Sequence, residues 1–202
     1  MKNIAKLLAI VLLLSSCASG YNLIRPDRMN YQTNLSNQDI EFSYKYGVLN
    51  ERGNKKYAKK ESAKDTRVVA VKKTNNSAQP FVFGEDLKIH SNGSPVNLLE
   101  PKHIHQNLKQ GVPIYLLYLL LTPMQLYPAS SADDSSDEGI PIGLALGPGI
   151  TAGNMIGAGS ANSNFLKELE SNFLNGRTID AGETVYGLIG LYDAAFSPLT
   201  LE

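Results

Sequence analysis

The amino-acid sequence predicts a mainly β fold, an antiparallel β-sandwich interrupted by an apolar helical hairpin. Three observations carry that expectation. β-branched and aromatic runs bounded by turn residues occupy 36–99 and 177–202. Together these portions match one small sandwich of ~100 residues. Between them, 100–176 changes character, with longer apolar stretches and glycines at helical spacing. Composition agrees with a packed core, since 43% of the 202 residues are hydrophobic and 19% charged, which excludes intrinsically disordered and collagen-like chains. Nineteen Lys and Arg balance nineteen Asp and Glu, so no global charge draws the chain to nucleic acid.

At the start, Lys2 and Lys6 flank the beginning of an apolar run over 7–14, and Ser15 and Ser16 follow it. The run is far shorter than the ~20 apolar residues of a spanning helix, so 1–16 reads as a secretory signal. Leu14-Ser15-Ser16-Cys17 resembles the lipobox of bacterial lipoproteins, in which the cysteine sulfur takes a diacylglyceryl group and cleavage leaves that cysteine first. The resemblance implies lipidation of Cys17 and a membrane reached through acyl chains, each buried methylene contributing ~0.8 kcal/mol. Ala18 stands where an aspartate is associated with inner-membrane retention, which implies the outer membrane. Loss of 1–16 leaves 17 basic against 19 acidic side chains. Because Cys17 is the sole cysteine, an internal disulfide framework, a CxxC redox motif and a Cys-rich zinc site are all excluded. Residues 17–35 are polar and read as a lipidated tether with a short ordered part.

The strand block begins where Ile40, Phe42, Tyr44 and Tyr46 alternate with polar residues, a period of two that lines one sheet face. The β-branched run 68–73 is a second strand, closed by Asn75-Asn76-Ser77, and 81–84 a third. Shorter candidates at 86–90 and 95–99 flank the hairpin signal Ser91-Asn92-Gly93. Late in the chain, 183–192 and 196–201 return to strand composition after the turn Ala181-Gly182. The stretch from Val69 through Asn75-Asn76-Ser77, with Gly182-Glu183-Thr184 downstream, resembles immunoglobulin-like domains of bacterial envelope lipoproteins. The whole chain is similar to envelope lipoproteins of Bacteroidota-type bacteria, a resemblance that implies no particular activity.

Within 100–176, Pro101 suits the first turn of a helix running to Gln110. Gly111 and Pro113 end it, and 114–121 is almost wholly apolar. Pro123, an acidic Ser-rich loop over 128–139 and a small-residue run over 140–161 follow. Ser163 is expected to cap a further helix carrying Phe165, Leu166, Leu169 and Phe173 on one side. Gly149, Gly153 and Gly157 recur at four-residue spacing, and Gly143 with Gly147 repeats it, so a helix there would place its glycines on one face for close packing. Either the hairpin 112–159 packs on the sandwich or it enters lipid.

Chemistry-bearing motifs are few. Gly147-Pro148-Gly149 lacks the Lys-Ser/Thr of a phosphate loop, and Gly-x-Ser-x-Gly and HExxH are missing. His103 and His105 diverge by roughly 200 degrees on a helix, so they share no metal. Asp133, Asp134, Asp137 and Glu138 lack calcium-loop spacing. From Lys45 to Lys73 ten Lys and Arg face three acids, and Arg52, Lys55, Lys56, Lys59, Lys60 and Lys64 are candidates for an anionic surface. No catalytic residue, metal site or cofactor is expected. The expectation is a lipid-anchored envelope protein with a binding or structural-interaction role and a protein partner in the envelope. The alternatives are a membrane-active protein inserting 112–159 and a hydrolase with a cryptic site in the insertion.

Overall fold

The computed structural model describes residues 17–31, 33–36, 39–125, 127 and 139–201, with backbone alone for 33–36. Its principal sheet has four antiparallel strands, β1 (Thr33–Ser36), β2 (Ile40–Lys45), β3 (Thr66–Asn75) and, far along the chain, β8 (Thr184–Tyr192), in the order β1-β2-β3-β8. The strand predicted over 68–73 is the centre of β3, extended at both ends because β8 pairs with it from Thr66 to Thr74. Cores on both faces of the sheet explain its near-continuous apolar run.

Alternation assigns the two faces. Phe42 and Tyr44 of β2, Val69 and Val71 of β3, and Val185, Ile189 and Leu191 of β8 fill one core. Phe83, Ile89, Leu174, Ile179 and Leu199 close that core from two short ribbons and the chain beside them. The ribbons are β4 (Phe81–Val82) with β7 (Thr178–Ile179), and β5 (Ile89–Ser91) between β6 (Ser94–Pro95) and β9 (Leu199–Leu201). The β5–β6 turn has Asn92 at φ 52° and Gly93 at φ 76°, the positive pair that a two-residue hairpin of matching twist requires. Val68, Ala70 and Leu188 point the other way. They meet Leu49 of α1 (Val48–Glu51), Tyr57 of α2 (Lys55–Lys64), Ile104 of α3 (Pro101–Leu108) and Phe165 of α4 (Gly143–Ser171).

This corrects the expected architecture in two respects. The chain is mixed α/β rather than mainly β, because helices cover one face of the principal sheet and the sheets do not close. α2 conceals its packing from a composition reading, since among its lysines only Tyr57 and Glu61 are buried. The apolar helical hairpin is also replaced. The first arm, Pro113–Leu121, is a nine-residue 3-10 helix, and the second is one continuous helix that holds Pro148. Proline there removes one intrahelical bond near the helix start without ending the helix. Ser163 therefore lies inside α4, and no helix begins at that point.

The two motifs behind the immunoglobulin-like resemblance are joined through Asn75. Its N–H donates to the Glu183 carbonyl at 2.9 Å, its carbonyl accepts the Gly182 N–H at 2.7 Å, and its amide donates to the Ile179 carbonyl at 3.1 Å. Gly187 is dictated by a different crossing. The segment after α4 runs beside β8, where the Leu188 N–H donates to the Asn172 carbonyl at 2.6 Å. A Cβ on Gly187 would stand 2.5 Å from that carbonyl oxygen and against Leu174. Gly187→Ala is expected to cost about 1–3 kcal/mol through overpacking. The urea midpoint measures this, and an unchanged midpoint would mean the Asn172 backbone yields.

By internal contacts the chain divides into two compact units. One, the sheet unit, comprises Tyr21–Lys109 with Asn162–Glu202 and holds both cores described above. The other, the apolar unit, comprises 17–20 with Gln110–Ala161.

Candidate functional site

The apolar unit is built on a period of three. In a 3-10 helix, residues i and i+3 eclipse, so Tyr115, Tyr118 and Leu121 form one row of Pro113–Leu121. Tyr115 and Tyr118 are buried, their rings nearly parallel at 10° with centroids 6.5 Å apart, and they pack with Ala158, Ile150 and Met155 of α4. The other two rows, Ile114, Leu117 and Leu120 and then Leu116 and Leu119, face outward, with Leu120 74% exposed. At the start of α4, Leu144 and Leu146 are exposed as well, and further along Ile156 is 73% exposed.

Cys17 belongs to this unit and is held there. The Ala18 N–H donates to Asn154 Oδ1 at 2.5 Å, the Ser19 N–H donates to Gln110 Oε1 at 3.3 Å, and the Gln110 amide returns a bond to the Ser19 carbonyl at 2.7 Å. Cys17 Sγ stands 4.0 Å from the Tyr118 hydroxyl. The described residues of the unit, 17–20, 110–125, 127 and 139–161, include no Asp, Glu, Lys, Arg or His. A surface of this kind is unusual for a chain facing water, where apolar patches are normally interrupted by charge. No helix among the described residues is long and apolar enough to cross a membrane. Leu14, Ser15, Ser16 and the acidic residues Asp133, Asp134, Asp137 and Glu138 lie outside the described residues.

Of the five glycines expected on one packing face, only the first two stand at a close approach. Gly149 and Gly153 meet nothing within 4 Å, and Gly157 has only ordinary contact with Ala18 at 3.6 Å. The tight positions are Gly143, where a Cβ would strike the backbone of 121–124, and Gly147, against Thr122. The Gly143 N–H donates to the Met124 carbonyl at 2.9 Å, which fixes the approach. Four-residue spacing identifies a helix face but not which part of it meets the neighbouring chain.

The six cations expected to bind an anionic surface fall into separate groups. Arg52 Nε donates to the Leu23 carbonyl at 2.8 Å and is committed to tying down 21–25. On α2, Lys56, Lys60 and Lys64 follow one i, i+4 row, and Lys60 Nζ donates to the Lys109 carbonyl. Lys55 and Lys59 form another row, and both line a cavity of about 500 Å³ with Glu61 and Arg67.

Several polar groups of the sheet unit were not singled out by sequence. Glu61 is buried and accepts the Val68 N–H at 2.8 Å, beyond the point where β2 ends opposite Ala70. Burial raises its pKa to about 7, against the lowering effects of that N–H and of Arg67. Lys73 is 0% exposed, with Nζ 4.2 Å and 4.8 Å from the ring centroids of Phe81 and Phe83 and no hydrogen-bond partner among the described residues. Its burial lowers its pKa to about 7. The available signal was its parity, because Lys73 continues the inward row of Val69 and Val71. His103 Nε2 lies 2.6 Å from the Tyr192 hydroxyl and the His105 ring packs toward Phe165, so the two diverge as helical geometry requires. No group of three or more His, Cys, Asp or Glu that could hold a metal occurs among the described residues.

Comparison with protein-family models, curated proteins and solved structures gives no match for this chain.

Proposed function

We propose that this is a lipid-anchored envelope protein that rests the charge-free face of its apolar unit on the membrane surface and serves a binding or structural role. The observation that carries this reading is the lack of charged side chains among the described residues of the unit that holds Cys17. Apolar side chains facing outward from such a unit gain by leaving water, at roughly 25 cal/mol for each Å² covered. Acyl chains on Cys17 supply the permanent attachment and the leucine rows a second, weaker contact. The lengths and composition of the helices favour lying in the interface over spanning. Of the insertion 100–176 in which the hydrolase alternative placed its site, the described residues 110–161 offer neither carboxylate nor imidazole, His103 and His105 diverge to Tyr192 and Phe165, and Glu168 is bonded to Tyr21, Ile24 and Arg25.

The sheet unit is the part we assign to interaction. The coupling of the Asn75 and Gly182-Glu183 motifs supports kinship with immunoglobulin-like envelope domains as part of this reading. Outer-membrane placement follows from Ala18 on the same basis as in the sequence.

A Cys17→Ser variant tests the proposal. Membrane fractionation is expected to shift the protein from the membrane to the soluble fraction. Mass spectrometry of the parent should find an acylated Cys17 as the first residue. In the Cys17→Ser background, flotation with vesicles should keep a residual bound fraction that Leu117→Asp with Leu120→Asp removes. An unmodified thiol at position 17 with 1–16 still attached defeats the anchor, and flotation unaffected by the two aspartates defeats the resting face.

A further inference from the structure

We propose that the cavity framed by α1, α2 and the start of β3 in the sheet unit binds a phosphate group, as a free phosphate or phosphate ester or as the headgroup of an anionic lipid. The cavity of about 500 Å³ is lined by Asn50, Lys55, Lys59, Ser62, Arg67 and Phe196, with Glu61 in its wall. Lys55, Lys59 and Ser62 fall at i, i+4 and i+7 of α2, so helical geometry brings two ammonium groups and a hydroxyl to one side. No ion pair among the described residues engages Lys55 or Lys59.

Arg67 supplies the independent observation. It is 3% exposed, and it is held by its Nε donating to the Asp193 carbonyl at 2.7 Å and its Nη2 to the Ala194 carbonyl at 3.0 Å. Its guanidinium carbon lies 4.2 Å from the Phe196 ring centroid. Nη1 has no hydrogen-bond partner among the described residues. A buried guanidinium N–H left without an acceptor is costly, and an oxyanion is the acceptor that arginine recognises best. The fixed arginine, two adjustable lysines and neighbouring hydroxyl and amide donors form the donor set of a phosphate site. Glu61 does not oppose it at acid pH, because burial raises its pKa to about 7 and its bonded oxygen already faces the Val68 N–H.

The test uses the full chain in non-ionic detergent at pH 6.5 and isothermal titration calorimetry with two probes, inorganic phosphate and dihexanoyl phosphatidic acid. Lys55→Gln with Lys59→Gln, both at exposed positions, is expected to weaken binding by about tenfold or more. Lys56→Gln with Lys64→Gln removes the same charge from the other row and is expected to change affinity less than about twofold. Arg67→Lys keeps the charge, removes Nη1 and is also expected to weaken binding. Binding of both probes supports a phosphate site open to soluble ligands, and binding of the lipid alone supports a headgroup site. Failure of both probes to bind overturns the proposal, as does equal loss in the two lysine pairs. Neither outcome bears on lipidation of Cys17.

Discussion

Alanine in place of Glu168 is expected to lower the stability of the sheet unit by about 3–5 kcal/mol, the sum of one charge-assisted network lost and its donors left buried. Glu168 is 5% exposed on α4 and accepts three hydrogen bonds from the segment that enters the unit. The Tyr21 hydroxyl donates to Oε2 at 2.5 Å, the Ile24 N–H to Oε2 at 3.0 Å and the Arg25 N–H to Oε1 at 3.0 Å. Ile24 is fully buried, so its N–H has no access to water once the carboxylate is gone. Burial, and then the Glu168 carboxylate, holds the Tyr21 phenol far above its usual pKa, so it remains a donor across the accessible pH range. Arg25 sits in the left-handed region at φ 55°, a conformation the bond to Glu168 helps hold. A thermal midpoint lowered by roughly 10–15 °C in circular dichroism is the expected reading. Tyr21→Phe should remove a third or less of that effect. A loss below about 1 kcal/mol for the alanine variant would show that 21–25 is held by its apolar contacts alone.

Stability as a function of pH is expected to pass through a trough near pH 7, and Lys73→Met to flatten most of its alkaline side, leaving the part due to Lys60. The sign follows from two buried groups. Glu61 has its pKa raised from 4.5 to about 7 by burial. Between those values the folded protein keeps a proton that the unfolded chain releases, so stability falls as pH rises through the window. Lys73 has its pKa lowered from 10.5 to about 7 by burial. Between 7 and 10.5 the unfolded chain binds a proton that the folded one does not, so stability rises with pH across that second window. Lys60 is shifted in the same direction, first by burial and then by Lys64 and Lys109, and adds to the alkaline limb. At pH 6 the Lys73 ammonium is charged in the core, where among the described residues the Phe81 and Phe83 rings face it and no hydrogen-bond acceptor does. Methionine keeps the stem and discards the charge, so Lys73→Met should gain about 2–4 kcal/mol at pH 6 and progressively less toward pH 10. Urea unfolding at half-unit pH steps measures both limbs. A profile in Lys73→Met that parallels the parent's would falsify the assignment.

Local pattern carried much of the sheet. The alternation Ile40, Phe42, Tyr44, Tyr46 placed β2 and its inward row, and the Ser91-Asn92-Gly93 signal placed a hairpin whose turn has the required positive φ values. The run 68–73 located β3, and Pro101 began α3. The coverage of the sheet by α2 was hidden, because half of its residues are lysine and it packs through Tyr57, whereas the apolar side carrying Phe165 and Leu169 was legible. The expected cap at Ser163 failed, since capping residues mark helix starts only where no helix already runs.

For the proposed site, the sequence by itself determined the lipobox-like stretch ending at Cys17, the lack of charge between Lys109 and Asp133, and the cationic character of α2. Each is a property of neighbouring residues and survives any fold. Tertiary structure decided which leucines of Pro113–Leu121 face outward, which glycines meet backbone, and that Lys55 and Lys59 share a cavity with Arg67 while Lys60 does not. It also decided that Glu61, Lys73 and Glu168 are buried. The physical reason is that hydrogen-bond partners and burial arise between residues distant along the chain, as between Tyr21 and Glu168, and no local period encodes such a meeting.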